Sequence, residues 1–480
     1  MCPPYRGGFV IMSSTSTKEG VGILEKMSQS FTTVAERWYP DAFIFVTLGV
    51  IIVAAANLAT GAAPMDVAKA FGNGFWTLIP FTMQMAMIVI SGYIVATSRP
   101  CARLIDALAR VPKTSAGAIA WICFISMLAS ILQWALSLIL GGLLVRALAR
   151  RTDIKMDYRA AGAAAYLGLG ATWALGFSSS AAMLQANPSS LPKSISDISG
   201  VIPLTETILL WQSIVMLLII IAASVAIAYF SAPKGANIRT AADMEADVSP
   251  PENIVEKPTR PGEKLEFVRI LPIIIFILGV GFFVEEFSTK KTIQVISSLN
   301  NYNFCFLMLG LLLHGNIRSF LRALNKSVPG ASGVLIQFPF YGAIATMLTA
   351  VPGSDGWTIS HHIAEFFVAI ANADTFPVVI GIYSAILGFF VPSGGGKWIV
   401  EAPYVFEAAV TLKAHMGWAV QVYNAAEALP NLINPFWMLP LLGVLGLKAR
   451  DIVGFCFTQL LLHIPLVLFL LWLLAPPGPA

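Results

Sequence analysis

The chain has 480 residues, 57% of them hydrophobic and only 12% charged, with a mean hydropathy of +0.76; soluble globular chains carry about 25% charged residues, so this is a polytopic membrane protein. Its formal net charge of +4 is spread over loops rather than clustered, which reads as membrane orientation and not as a nucleic-acid footprint. The cysteines, Cys2, Cys101, Cys123, Cys305 and Cys456, are an odd set without metal-ligand or disulfide spacing, which excludes a redox framework.

Residues 1–38 are polar and mixed and lack the apolar core of a cleaved signal peptide. They read as a cytoplasmic N-terminal segment, with Met12 and Met27 as alternative starts. Against roughly 20 residues per crossing, spans are expected over 42–59, 75–96, 206–230, 270–287, 302–314, 334–351, 437–447 with the half-helix before it, and 452–474. Those starting at 302 and 437 are short. The stretch 116–148 is too long for one span and is interrupted by Ser130, Gln133, Trp134 and Ser137, so it is expected to be a re-entrant hairpin. Residues 160–176 run into Phe177-Ser178-Ser179-Ser180 and end near Asn187-Pro188, the pattern of a helix broken inside the membrane. Residues 231–266, rich in Pro, Asp, Glu and Lys, read as a flexible loop. Residues 360–373, with Ile363, Phe366, Phe367 and Ile370 on one side, read as a helix lying on the outer surface. The apolar stretch 376–410 is interrupted by Pro392-Ser393-Gly394-Gly395-Gly396-Lys397-Trp398. Each flank is too short to span alone, so a second hairpin is expected, with a second broken helix at 429–435.

These features occur twice in the same order. Residues 43–49 resemble 304–310; Gly74, Pro80, Phe81 and Ala86 match Gly333, Pro339, Phe340 and Ala345; the hairpin with Trp134 matches the one with Trp398. The expected organisation is 1–38 cytoplasmic, 39–231 a first repeat with its hairpin at about 116–148, 232–267 a cytoplasmic linker, 268–300 a connecting helix, and 301–476 a second repeat with its hairpin at about 376–411. Lysine and arginine set the orientation. With the N-terminus in the cytoplasm, that side holds Arg99, Arg103, Arg110, Lys113, Arg146, Arg150, Arg151, Lys155, Arg159, Arg318, Arg322, Lys326, Lys448 and Arg450. The other side holds Lys69, Lys193, Lys290, Lys291 and Lys413. An odd number of crossings separates corresponding points, so the repeats are inverted, one hairpin entering from inside and one from outside. The fold class is therefore an all-α polytopic membrane protein with an inverted repeat, each half carrying a re-entrant hairpin and a broken helix.

Both tips and both breaks are expected near the bilayer midplane. Candidate substrate-binding residues are Ser130 and Gln133, Ser178, Ser179 and Ser180, Ser393, Gly394, Gly395, Gly396 and Lys397, and Asn431 and Asn434. Hydroxyls, amides and unwound carbonyls are hard donors suited to sodium, placed near Ser130, Ser178 and Asn434, while helix N-termini suit an anion. Each has a plainer reading: the serines as helix back-bonding, the glycines as a tight loop, Lys397 as the partner of Glu401 one turn on. Glu401 and Glu427 are candidates for coupling to sodium or protons, or merely partners of Lys397. A lone charge at this depth costs at least about 2.5 kcal/mol, and replacing Lys397 by Ala is expected to abolish transport with the protein level intact. A Ser393 and Lys397 nucleophile pair has no accompanying catalytic set, and the five histidines lack ligand spacing, so no enzyme and no resident cofactor are expected.

The segments Gln337-Phe338-Pro339-Phe340-Tyr341-Gly342, Val391 to Trp398 and Asn431-Leu432-Ile433-Asn434-Pro435-Phe436-Trp437 resemble the bacterial short-chain fatty acid transporter family, over about residues 28–474. That family is similar to the wider ion transporter superfamily, whose better understood members are sodium-coupled carboxylate symporters with two hairpins and two broken helices. The resemblance implies a multi-pass protein of the bacterial inner membrane that takes up butyrate, acetoacetate or a similar monocarboxylate with sodium or protons, as a homodimer. The alternatives are an exporter or exchanger of another organic anion, or a passive anion channel. Superfamily hairpin tips carry Ser-Asn-Thr, whereas here they read Ala129-Ser130-Ile131-Leu132-Gln133 and Ser393 to Lys397, so sodium ligands do not transfer by position. A lysine at the outer tip suits a monocarboxylate, with Trp134, Phe389, Phe390 and Trp398 as the expected apolar pocket.

Overall fold

The computed structural model describes residues 42–177, 179–249, 258–390 and 393–478, and the regular elements in them are helical. The N-terminal segment 1–38, Ser178 and Pro392 lie outside these residues. In chain order come α1 (Ala42–Ala59), α2 (Pro64–Phe75), α3 (Ile79–Ala96), α4 (Arg99–Leu108), α5 (Ser115–Leu132) and α6 (Trp134–Ala149). Then α7 (Tyr158–Leu167) widens into a π turn over Gly168–Thr172 and tightens into a 3-10 turn over Trp173–Leu175. The short α8 (Ser180–Gln185) and α9 (Lys193–Ser199) and the long α10 (Trp211–Phe230) complete the first half. After the linker follow α11 (Ile270–Thr289), α12 (Thr292–Ser297), α13 (Leu299–His314), α14 (Ile317–Ser327), α15 (Ser332–Ala350), α16 (Ile359–Ile370), α17 (Phe376–Phe390), α18 (Gly394–Thr411), α19 (Met416–Asn431), α20 (Pro435–Leu445) and α21 (Ala449–Leu473).

Among the described residues, seven helical runs are long and apolar enough to cross a membrane, and the protein is a multi-pass membrane protein. Two expected spans begin later than hydropathy places them. Phe75 closes α2, so α3 starts at Ile79 with Pro80 in its first turn, where a missing N–H is harmless. Glu206 lies in a separate 3-10 turn, so α10 starts at Trp211. The short span at 302 gains a turn because Ser298 caps Asn301 at 3.4 Å.

Each half runs through a long helix, an amphipathic helix, a second long helix, another amphipathic helix, a helical pair and an interrupted helix. The pairs differ in detail. The first is broken by one extended residue, Gln133, whose side chain accepts the Leu136 N–H and donates to Ile88 O; in the second, one helix is described to Phe390 and the next opens at Gly394 behind its cap Ser393. Pro80 opens α3, whereas Pro339 lies inside α15.

Burial sorts the helices. In the Tyr158–Gln185 run 94% of the apolar window is buried, against 17% in Ile270–Thr289. Ile273, Ile274, Ile277 and Leu278 of α11 are exposed, which is how a lipid-facing helix is built. The core is α5, α6, α7, α18 and α19, packed against one another and bordered by α3 and α15. Helix α16 packs on α18 through buried Ala364 and Phe367 while exposing Phe366 and Ile370.

The linker is more ordered at its start than its composition suggests. Asp157 is 0% exposed; it caps α7 through the Arg159 and Ala160 N–H groups at 3.1 and 3.0 Å and accepts the Arg239 N–H at 2.9 Å. The Tyr158 N–H returns to Arg239 O at 2.8 Å, and Arg146 and Arg150 donate to Ser249 O and Val248 O. Residues 231–249 are thus fastened across the basic ends of α6 and α7, correcting the reading of 231–266 as a bare tether.

Candidate functional site

The first tip meets the second helix break, and the second tip meets the first. Trp134, which opens α6, stands edge-on to Trp437 of α20, ring centroids 5.7 Å apart. Gly394, which opens α18, leaves no room for a Cβ against the Trp173 indole; Gly395 abuts Phe81 and Ser180, and Gly396 abuts Tyr341. Here the absence of side chains allows the backbone of the tip to approach its neighbours. The breaks are joined by the Tyr166 hydroxyl donating to Asn431 O at 2.6 Å, and α19 is joined to the tip by the Tyr423 hydroxyl donating to Gly394 O at 2.6 Å.

The three glycines are not a loop, contrary to one reading of the motif. Ser393 is an N-cap whose hydroxyl accepts the Gly396 N–H at 3.2 Å, and Gly394, Gly395 and Gly396 form the first turn of α18. Helix geometry leaves the first-turn N–H groups of Gly394 and Gly395 without intrahelical acceptors.

These segments enclose a chamber of about 30 Å³ between Ser393, Gly394, Gly395, Ser180 and Asn431 on its polar side and Met85, Trp134, Leu169, Trp173, Val334, Phe338 and Trp437 on its apolar side. The Asn431 Oδ1 and Trp173 Nε1 atoms are buried without partners. A larger cavity of about 860 Å³ shares Trp134, Val334, Phe338, Ser393 and Trp437 with the chamber and extends to exposed Lys326 and Gly330. Its wall also includes Ile336 and Leu439, both more than half exposed, so the larger space opens sideways as well, and the chamber is its enclosed end. An anion suits such a place: uncapped N–H groups and the positive end of α18 face the space, and the buried Trp173 Nε1 is a further donor without a partner.

Several candidate residues lie elsewhere. Ser130 donates to Gly168 O at 2.6 Å, in the π turn, and Gln133 is consumed at its own break; both are 0% exposed. Ser179 caps α8 and donates to Asn424 Oδ1 at 2.9 Å. Asn434 is buried in the turn after α19, its N–H on Asn431 O at 3.3 Å. The apolar pocket differs from expectation: Trp398 is fully buried against Phe406 and Tyr423 and Phe389 does not line the chamber, while the Phe390 side chain is outside the described residues. Trp173, Phe338 and Trp437 take that role with Trp134. Phe338 and Trp437 lie in motifs the sequence displays; Trp173 carries no local signal, because only the meeting of α7 with α18 makes it a wall.

Lys397 points away from the chamber. Its Nζ is 2.7 Å from Glu401 Oε1, 2.9 Å from Glu427 Oε2, 2.7 Å from Ser384 Oγ, 3.0 Å from Ser384 O and 4.4 Å from the Tyr423 ring centre. The Lys397, Glu401 and Glu427 side chains are all 0% exposed. Three ammonium protons are thereby taken by protein acceptors, so Lys397 holds α18 to α17 and α19 and offers nothing to a ligand in this conformation. Replacing it removes contacts that join α18 to α17 and α19.

A family profile described as short chain fatty acid transporter matches residues 23–474. A protein of Escherichia coli (strain K12) provisionally named a short-chain fatty acid transporter is 34% identical over 444 residues, covering 92% of this chain and 97% of its own length. A protein of Haemophilus influenzae with the same provisional name is 34% identical over 459 residues, covering 94% and 100%. Two solved structures are similar in fold at 14% sequence identity. The YdaH transporter of Alcanivorax borkumensis has a TM-score of 0.54, covering 91% of this chain and 100% of that one. Neisseria gonorrhoeae MtrF, described with a class of antimetabolite efflux pumps, has a TM-score of 0.52, covering 94% and 99%.

Proposed function

The chain belongs to the short-chain fatty acid transporter family, and from that premise we propose that it takes up short-chain monocarboxylates such as butyrate or acetoacetate by cation-coupled alternating access. The observation that carries this reading is the chamber between the α18 N-terminus and Asn431. It offers one donor pole, at the first-turn N–H groups of Gly394 and Gly395, and an aromatic pole at Trp134, Trp173, Trp437 and Phe338. A short-chain acid has the same division, one charged end and a few methylenes.

The repeated order of elements and the distribution of lysine and arginine support an inverted pair of halves with the N-terminus in the cytoplasm and the inner membrane as location. On that orientation the cavity reaching Lys326 faces inward, and α5 with α6 and α17 with α18 are the re-entrant hairpins. A homodimer, in which the lipid-facing frame is shared and the core moves, follows the superfamily resemblance.

The test is exchange of labelled butyrate against an internal unlabelled pool in proteoliposomes, corrected for the passive leak of the neutral acid in protein-free vesicles. Saturable exchange, competed by acids from acetate to hexanoate, is expected. No exchange of any of them above the leak would sink the proposal. Accumulation against a gradient separates a transporter from a channel, and competition by dicarboxylates or larger anions identifies an exchanger of another anion.

A further inference from the structure

Behind the chamber, one cation faces two carboxylates, and this imbalance has no part in holding the substrate. Glu401 is complete as a carboxylate: Oε1 takes Lys397 at 2.7 Å and Oε2 accepts from Ser384 Oγ at 2.8 Å. Glu427 is incomplete. Its Oε2 forms an ion pair with Lys397 Nζ at 2.9 Å, but both of its oxygens are buried without a hydrogen-bond partner, and Gly388 of α17 backs it so closely that a Cβ there would stand 2.9 Å from Oε2. Lys397 and Glu401 of α18 and Tyr423 of its own helix face it, and the wider cluster includes Tyr383 of α17 and Tyr404 of α18 beside Glu401 and Tyr341 of α15 beside Tyr423. On the remaining neighbours, Tyr166 is bonded one turn away at Asn431 O and His463 of α21 is engaged by Ser224.

With both carboxylates ionised the cluster carries a net charge of minus one on side chains that are all 0% exposed, and such a site neutralises itself by taking a cation. Hard metal cations take several oxygen ligands. What remains here is a single carboxylate, Glu427, with the oxygens of Glu401 already taken by Lys397 and Ser384; that is too few ligands for a metal ion and enough for one proton. We infer that Glu427 is a proton-binding site whose occupancy is coupled to binding of the substrate carboxylate at the N-terminus of α18.

This rests on the proposed passage of a carboxylate through the chamber. The two sites adjoin: Lys397 stands in the first turns of α18, its N–H on Ser393 O at 2.8 Å, and Asn431, one turn beyond Glu427, lines the chamber. An ionised Glu427 leaves a negative cluster that opposes a second anion, whereas the proton makes the cluster neutral. Proton and substrate therefore each favour the other, by the same factor. The proton comes from water and ends on the Glu427 carboxylate, so the load is neutral overall. Along α18, the Tyr383 and Tyr404 hydroxyls, 3.0 Å apart, and then half-buried Glu407 facing His361 at 3.7 Å continue the polar file toward the far end of the helical pair.

Calorimetry on the purified protein in detergent, titrating butyrate in buffers of different ionisation enthalpy, counts the protons taken up. The expected result is uptake approaching one proton per butyrate as pH rises, with affinity weakening by up to about tenfold per pH unit. Glu427→Gln should bind butyrate with no proton uptake and a flat pH profile. Infrared difference spectra of the wild type on butyrate binding should gain a protonated carboxyl band, which keeps the test open if the variant does not fold. Butyrate binding without proton uptake or that band, or proton uptake unchanged in Glu427→Gln, overturns the inference and leaves the transporter reading standing. Absence of binding by every acid from acetate to hexanoate overturns the transporter reading itself.

Discussion

Replacing Lys397 by Met leaves Glu401 and Glu427 buried side by side without the ammonium that both use. Removing one partner of a buried ion pair typically costs about 3–5 kcal/mol, because an uncompensated charge remains in a low dielectric. The unfolding entropy of globular chains, about 2.1 cal/mol/K per residue, scales to about 1 kcal/mol/K for 480 residues. The apparent unfolding temperature in detergent should therefore fall by about 3–5 °C, with a matching loss of folded protein in the membrane. Glu427→Gln is the control, since it keeps Lys397 on Glu401 and Ser384, and should melt within about 1 °C of the wild type. Thermal unfolding of the three proteins side by side is the assay. If Lys397→Met melts with the wild type, Lys397 is not a structural cross-link and the cluster has been misread.

Gly394→Ala drives a methyl into the Trp173 indole, an overpacking of about 1–3 kcal/mol at the chamber wall; exchange should be lost, while Gly281→Ala on lipid-facing α11, with nothing near its Cβ, should exchange normally. Equal activity of the two would show that the tip does not need its close approach. Gln133→Ala strips partners from the Leu136 N–H and Ile88 O; thermal unfolding should report a loss of about 1–3 kcal/mol, and an unchanged melt would mean the single-residue break holds without its side chain. Asp157→Ala removes the cap of α7 and the anchor of Arg239, worth about 0.5–2 kcal/mol; limited proteolysis within 231–249 should accelerate, and an unchanged cleavage rate would detach the linker from that carboxylate.

The sequence displays what is local. Helix breakers and polar interruptions mark where the membrane helices divide, which is why α1 ends where hydropathy alone puts it, at Ala59. The pairing of Lys397 with Glu401 is equally local, since residues four apart share a helix face. Less legible was how a break is built. Ser130, Gln133, Trp134 and Ser137 all interrupt the apolar stretch, yet only Gln133 leaves the helix, because its amide satisfies Leu136 N–H and Ile88 O by itself. The same polarity at Ser130 is spent on the Gly168 carbonyl that the π turn exposes.

Composition and the order of apolar stretches thus determined by themselves that this is a multi-pass, all-helical protein with interrupted helices, because burying backbone in lipid demands helices and penalises each polar residue wherever it stands. Only the tertiary structure decided which interruptions share a space and which charges cancel. Trp173 becomes a chamber wall, and Glu427 becomes the second carboxylate on Lys397, through contacts between helices distant along the chain. Such contacts depend on how close two backbones approach, as at Gly394 against Trp173 and Gly388 against Glu427, and no periodicity within one helix records that distance.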